Sequence, residues 1–149
     1  MQISSRFTIG IHVMIMIALR GDKTKVTSDF LAESVGVNPV IIRKTLSQLK
    51  KAGLIHVARG TGGATLSKTV DEISLLDIYR AVECLGTTGQ LFGFHDHPNP
   101  DCPIGHNIHD ILDGKLAAIQ IAMEKEMART SLKEVVITTQ KKIDQVSVS

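Results

Sequence analysis

One arrangement in residues 27–67 restricts the fold more than any other: two short helical segments meet at a glycine turn, and a glycine-rich hairpin follows without a linker. Thr27 or Ser28 can cap the first segment, whose inward residues are Phe30, Leu31, Ala32 and Val35, and Gly36 ends it. Asn38 offers a side-chain oxygen to the free N–H groups of the next helix. Pro39 takes its first position, where a missing N–H costs nothing. That helix runs to Ala52 and stops at Gly53. Ile42, Leu46 and Leu49 recur at helical spacing and face inward. Arg43, Ser47 and Lys50 form an outward stripe, with Lys44, Gln48 and Lys51 beside it. Leu54–Ala58 then has the pattern of a strand, Arg59–Ala64 of a glycine-rich turn, and Thr65–Ser67 of the returning strand. The helices alone fit a plain helical hairpin as well as a helix-turn-helix, but a hairpin directly after the second helix makes a wing.

The flanking segments are helical by the same criteria. Ser4 or Ser5 caps a helix from Arg6 to about Leu19, and its apolar residues occupy nearly every side. A helix hydrophobic all round is buried all round, which in so small a chain points to a second subunit. His12 sits among apolar neighbours and is expected to be a satisfied interior residue, whereas His56 alternates outward on its strand. A fourth helix is expected from Asp71 to Gly86, and residues 86–103 form a polar loop. From Pro103 or Ile104 a long helix carries Ile104, Ile108, Ile111, Leu112, Leu116, Ile119, Met123 and Met127 as one apolar stripe. Such a seam needs a partner, most economically its own copy about a twofold axis; packing on the first helix of the same chain is the alternative. The tail after Thr130 fits helix or strand. The expected fold is therefore mainly α with a small β-hairpin wing. A winged helix-turn-helix head spans residues 1–85, a loop 86–103, and a dimerisation helix and tail 104–149.

Charge is divided between the halves. Residues 1–70 have a net charge of +7 and residues 71–149 one of −5. Residues 34–70 hold Arg43, Lys44, Lys50, Lys51, Arg59 and Lys68 and no carboxylate. A basic module joined to an acidic one suits a polyanion such as double-stranded DNA, although a solvated basic face would look the same by charge. Two cysteines fit a reducing compartment and exclude a disulfide scaffold. The longest apolar run, residues 13–19, is too short to cross a bilayer, and no signal-peptide pattern opens the sequence. The expected location is the cytoplasm, with no membrane partner.

The loop collects His95, His97, Cys102, His106 and His109 among aspartates and prolines. These are metal ligands by type, but their spacing fits no closed zinc pattern, and no metal is assigned. Cys102 stands just before Pro103 and so at a helix N-cap, where the helix dipole, with His106 one turn on, would favour the thiolate and its oxidation. A small capping residue is the plain alternative. Cys84, between Val82 and Leu85, has the surroundings of an inert core thiol. Enzymatic activity is not expected. Gly60-Thr61-Gly62-Gly63 looks like a phosphate-binding turn, yet a strand rather than a helix follows it, and no catalytic triad can be assembled.

Taken together, Ile3-Ser4-Ser5-Arg6, the Leu49–Ile55 junction, Arg59–Ala64, Ile73 through Glu83, and the loop with its long helix resemble the Rrf2 family of bacterial winged-helix transcription regulators. That family includes iron–sulfur, nitric-oxide and cysteine-metabolism regulators. The resemblance covers almost the whole chain. It implies a homodimer that binds an operator through paired heads and regulates transcription, as a repressor in the reading favoured here. Carried onto this sequence, it places Asn38, Pro39 and Val40 at the start of the recognition helix, Arg43, Lys44 and Gln48 behind them, and Arg59, Gly60, Thr61 and Gly62 in the wing. Arg6, Lys50, Lys51 and Lys68 fall to phosphates. Thr61 and Thr65 replace residues frequent in the family. Cluster-holding members present three cysteines in the loop where this chain has only Cys102, so an iron–sulfur cofactor is not expected. Redox sensing through Cys102 is the reading kept, with metal or iron–sulfur sensing through the His/Cys loop as the alternative.

Overall fold

The computed structural model describes residues 4–60, 63–82 and 88–148; Ile3, Thr61, Gly62 and Cys84, each used above, lie outside the described residues. The elements are α1 (Arg6–Arg20), α2 (Ser28–Val35), α3 (Pro39–Lys51), β1 (Ile55–Val57), β2 (Ala64–Leu66), a 3-10 turn at Val70–Glu72, α4 (Leu75–Ala81), α5 (Pro103–Arg129) and α6 (Leu132–Val148). The caps of α2 and α3 act as their chemistry requires, whereas the N-cap of α1, Ser5, makes no side-chain capping bond. Thr27 Oγ1 accepts the Phe30 N–H at 3.2 Å, and Asn38 Oδ1 accepts the Val40 N–H at 2.9 Å. Gly36 closes α2 with φ +78°, a left-handed conformation that favours glycine. β1 and β2 pair antiparallel, with His56 opposite Thr65.

The fourth helix begins later than its sequence pattern predicted. Residues 70–72 form only the 3-10 turn, and α4 starts after Ser74. The reason is a capping box: Ser74 Oγ accepts the Asp77 N–H at 3.1 Å, and Asp77 Oδ2 accepts the Ser74 N–H at 2.9 Å. These reciprocal bonds fix the helix start more firmly than the acidic pair Asp71 and Glu72.

One core joins the head. Val13, Met14 and Ile17 from α1 meet Leu31, Ile42, Leu49, Ile55, Ile73 and Ile78, all essentially inaccessible. Leu132, the first residue of α6, is fully buried in the same cluster. Its N–H donates to Ile73 O at 2.7 Å, and the Leu75 N–H donates to Thr130 O at 2.9 Å, so the turn after α5 is bonded to the start of α4. The tail is thus helix, and it returns to the head. Within one chain α1 buries Gly10, Val13, Met14 and Ile17, while Ile11, Ile15 and Leu19 are half-buried along the side where α6 packs. His12 is half-buried, and its Nε2 lies 3.1 Å from Ser34 Oγ, tying α1 to α2.

α5 behaves differently. None of its residues is buried, and Ile104, Ile111 and Ile119 are 68%, 46% and 52% exposed. Of the apolar seam, Ile108, Leu112, Leu116, Met123 and Met127 are half-buried in the single chain, and Ile104, Ile111 and Ile119 are left exposed.

Candidate nucleic-acid interface

α3 turns Ile42, Thr45, Leu46 and Leu49 into the core, and this fixes what remains outside. Val40, Arg43, Lys44, Ser47, Lys50 and Lys51 are exposed, Asn38 is exposed at the N-cap, and Pro39 and Gln48 are half-exposed. Thr45 cannot join them, because it is buried and its hydroxyl donates to Ile41 O at 2.9 Å. Arg59 and Gly60 are exposed at the wing, with Gly60 at φ +72°. The wing's remaining expected contacts, Thr61 and Gly62, lie outside the described residues.

α3 and the wing enclose a groove of about 350 Å³ lined by Arg43, Ser47, Lys50, Val57 and Gly60. Thr27 and Ser28 line it too. Sequence reasoning treated these two only as helix-capping residues; their place beside α3 follows from the short turn at Gly36, which folds α2 back. Among the described residues the ion pairs are His109–Asp113 and Glu126–Arg129, so none of the six cations in residues 34–70 is neutralised by a carboxylate. Arg6 is exposed but stands apart. α1 runs about 22 Å from Arg6 to its C-terminal end, where a Cβ on Gly21 would meet Ala64 O of the wing. Arg6 is therefore at the end remote from the hairpin.

The loop residues follow a separate logic. His95 and His109 both stack on Phe94, with ring centroids 4.8 and 3.9 Å apart. His109 Nδ1 is 3.1 and 3.2 Å from the two Asp113 oxygens. His97 and His106 are exposed. Among the described residues no group of three or more His, Cys, Asp or Glu side chains comes together to hold a metal. Cys102 is the half-buried N-cap of α5. Its thiol is held below the ordinary range by the backbone N–H of Gly105 first and Ile104 second, against a smaller upward push from desolvation. The sulfur makes no formal capping hydrogen bond; the N–H dipoles of the first turn act on it through space. The lowering comes from backbone rather than from His106.

The family model described as "Rrf2: Iron-dependent Transcriptional regulator" matches residues 3–138. The chain is 41% identical over 133 residues to a Bacillus subtilis protein, YwnA, that is by name an HTH-type transcriptional regulator; the match covers 89% of this chain and 96% of that one. A crystal structure described as that of a DNA-binding protein shares 39% identity and a TM-score of 0.70, covering 88% of this chain and 98% of its own. Staphylococcus aureus CymR in its oxidized form is similar in fold at 23% identity and a TM-score of 0.67, with 91% and 96% of the two chains covered. Among the described residues the iron in the family's description finds no fitting donor set. Cys102 is the one thiol among the described residues, and no cluster of potential ligands surrounds it.

Proposed function

The chain belongs to the Rrf2 family of DNA-binding transcriptional regulators, and on that premise we propose that it acts as a homodimeric repressor whose α3 and wing read an operator. The observation that carries this reading is the exposed side of α3 with its groove, where the cations of an acid-free stretch have no ion-pair partner among the described residues. Asn38, Pro39 and Val40 would enter the major groove first. Arg43, Lys44 and Gln48 follow at base edges, where guanidinium and amide groups recognise guanine and adenine. Lys50, Lys51, Lys68 and, from the far end of α1, Arg6 would meet phosphates and set register. Arg59, carried with Gly60, Thr61 and Gly62, suits the narrow and negative minor groove.

The exposed Ile104, Ile111 and Ile119 of α5 support dimerisation, and a dimer demands half-sites about 34–36 Å apart or a multiple. The test is fluorescence anisotropy on genomic promoter fragments with scrambled competitor, alongside sedimentation. A dimer preferring particular fragments is expected; a monomer, or one binding scrambled duplex equally, would refute the proposal.

A second reading is supported by the lowered thiol: peroxide oxidises Cys102 to the sulfenic acid and so alters DNA affinity. Its test compares wild type with Cys102→Ser. Equal loss of affinity after peroxide in both proteins would remove it.

A further inference from the structure

Between the loop at 88–102 and α5 lies a cavity of about 370 Å³, walled by Phe92, Phe94, His109, Asp113, Leu116 and Gln120. Its size falls at the small end of ligand-binding clefts, enough for a molecule of one or two rings. The cavity is held open by its own bonds. Gln120 Oε1 accepts the Leu91 N–H at 3.0 Å and Gln120 Nε2 donates to Gly89 O at 2.9 Å, pinning the loop to the helix. Phe94 is fixed by its stack on His109.

With both ends of Gln120 spent, the polar groups left in the wall are the neutral Gln90 amide and the Asp113 carboxylate, which receives His109 Nδ1 and keeps free lone pairs. No Lys or Arg is among the described lining residues. A carboxylate or phosphate entering this space would face Asp113 without a compensating cation. A donor of positive charge would find a carboxylate, aromatic rings and an apolar wall. We propose that this cavity is a binding site for a small flat cation, an aromatic amine or amidine, with its N–H groups on Asp113 and its ring against Phe92 and Leu116. Successive helix residues turn by about 100°, so His109, Asp113 and Gln120 lie on average about two-fifths of a turn from Ile104, Ile111 and Ile119. Leu116 belongs to both the cavity wall and the seam, while the polar wall of His109, Asp113 and Gln120 stands clear of the exposed Ile104, Ile111 and Ile119; the inference stands apart from the DNA-binding reading.

The test is a titration of the ¹⁵N-labelled full-length protein, without DNA, with benzamidine and with its isosteric anion benzoate. Saturable amide shifts confined to residues 89–94 and 109–120 are expected for benzamidine and not for benzoate. Asp113→Asn, at a well-exposed side chain, should weaken benzamidine about tenfold. Absence of saturation, shifts centred elsewhere, equal binding of benzoate, or undiminished binding by a folded Asp113→Asn protein would each overturn the assignment. The comparison of the two probes on wild type requires no variant.

Discussion

Gly63 lies directly on the backbone nitrogen of Val26, so close that a Cβ has no room between them. The next residue, Ala64, donates its N–H to Val26 O at 3.0 Å. The root of the wing is thereby clamped to the segment that enters α2, and the wing's position relative to α3 is set by a backbone contact rather than by side chains. Gly63→Ala must push the hairpin away. Overpacking of this kind costs about 1–3 kcal/mol, read as a lower urea midpoint. Operator affinity should fall as well, while the sedimentation coefficient, which reports on α5, stays unchanged. Wild-type affinity in this variant would mean that the wing's placement does not matter for binding.

Arg59 and Lys50 are expected to fail differently. Arg59→Ala should weaken operator binding strongly and relax discrimination against scrambled duplex, because a minor-groove arginine reads shape. Lys50→Ala should weaken both duplexes alike and reduce the log–log salt slope by about one. Anisotropy titrations at four salt concentrations separate the two; an unchanged slope for Lys50→Ala would dismiss its phosphate contact.

The two apolar surfaces of the C-terminal half can be told apart by substitution. Leu132 is fully buried in the head core, so Leu132→Ala should lose about 2–5 kcal/mol of stability to cavity formation. Ile119 is 52% exposed on α5. Ile119→Glu should leave the stability of the head nearly unchanged yet drive a dimer towards monomer. Denaturation curves together with sedimentation check both, and a monomeric Leu132→Ala that kept full stability would reverse the assignment.

The head was readable because its signals are local. Thr27, Gly36, Asn38 and Pro39 act within a turn of themselves, and each cap is found where its chemistry places it. Ser74 and Asp77 carried an equally local capping-box signal that places the helix start four residues after the expected Asp71. The tail was ambiguous for another reason: Val135, Val136 and Ile137 form a β-branched run that fits either state, and the helix is tied to the fold by burial of Leu132 in the head core and by packing on α1. Nothing in residues 88–120 revealed that Gln120 would pin the loop, since its partners at Gly89 and Leu91 are backbone atoms about thirty residues away.

Cys102 offers a prediction that depends on sign. Its folded thiol lies below the ordinary value because first-turn N–H groups favour the thiolate, while in the unfolded chain that field is absent. The contribution to stability is therefore fully present at pH above the unfolded thiol's range, and it is lost as pH falls through the lowered folded value. Reactivity follows the same titration. The rate of iodoacetamide alkylation at the Cys102 peptide, followed by mass spectrometry, should have its midpoint at lower pH in the native protein than in urea. Mapping the peptide keeps Cys84 out of the measurement. A native midpoint equal to or above the denatured one would mean that the helix N-terminus does not activate this sulfur, and the redox reading would lose its physical support.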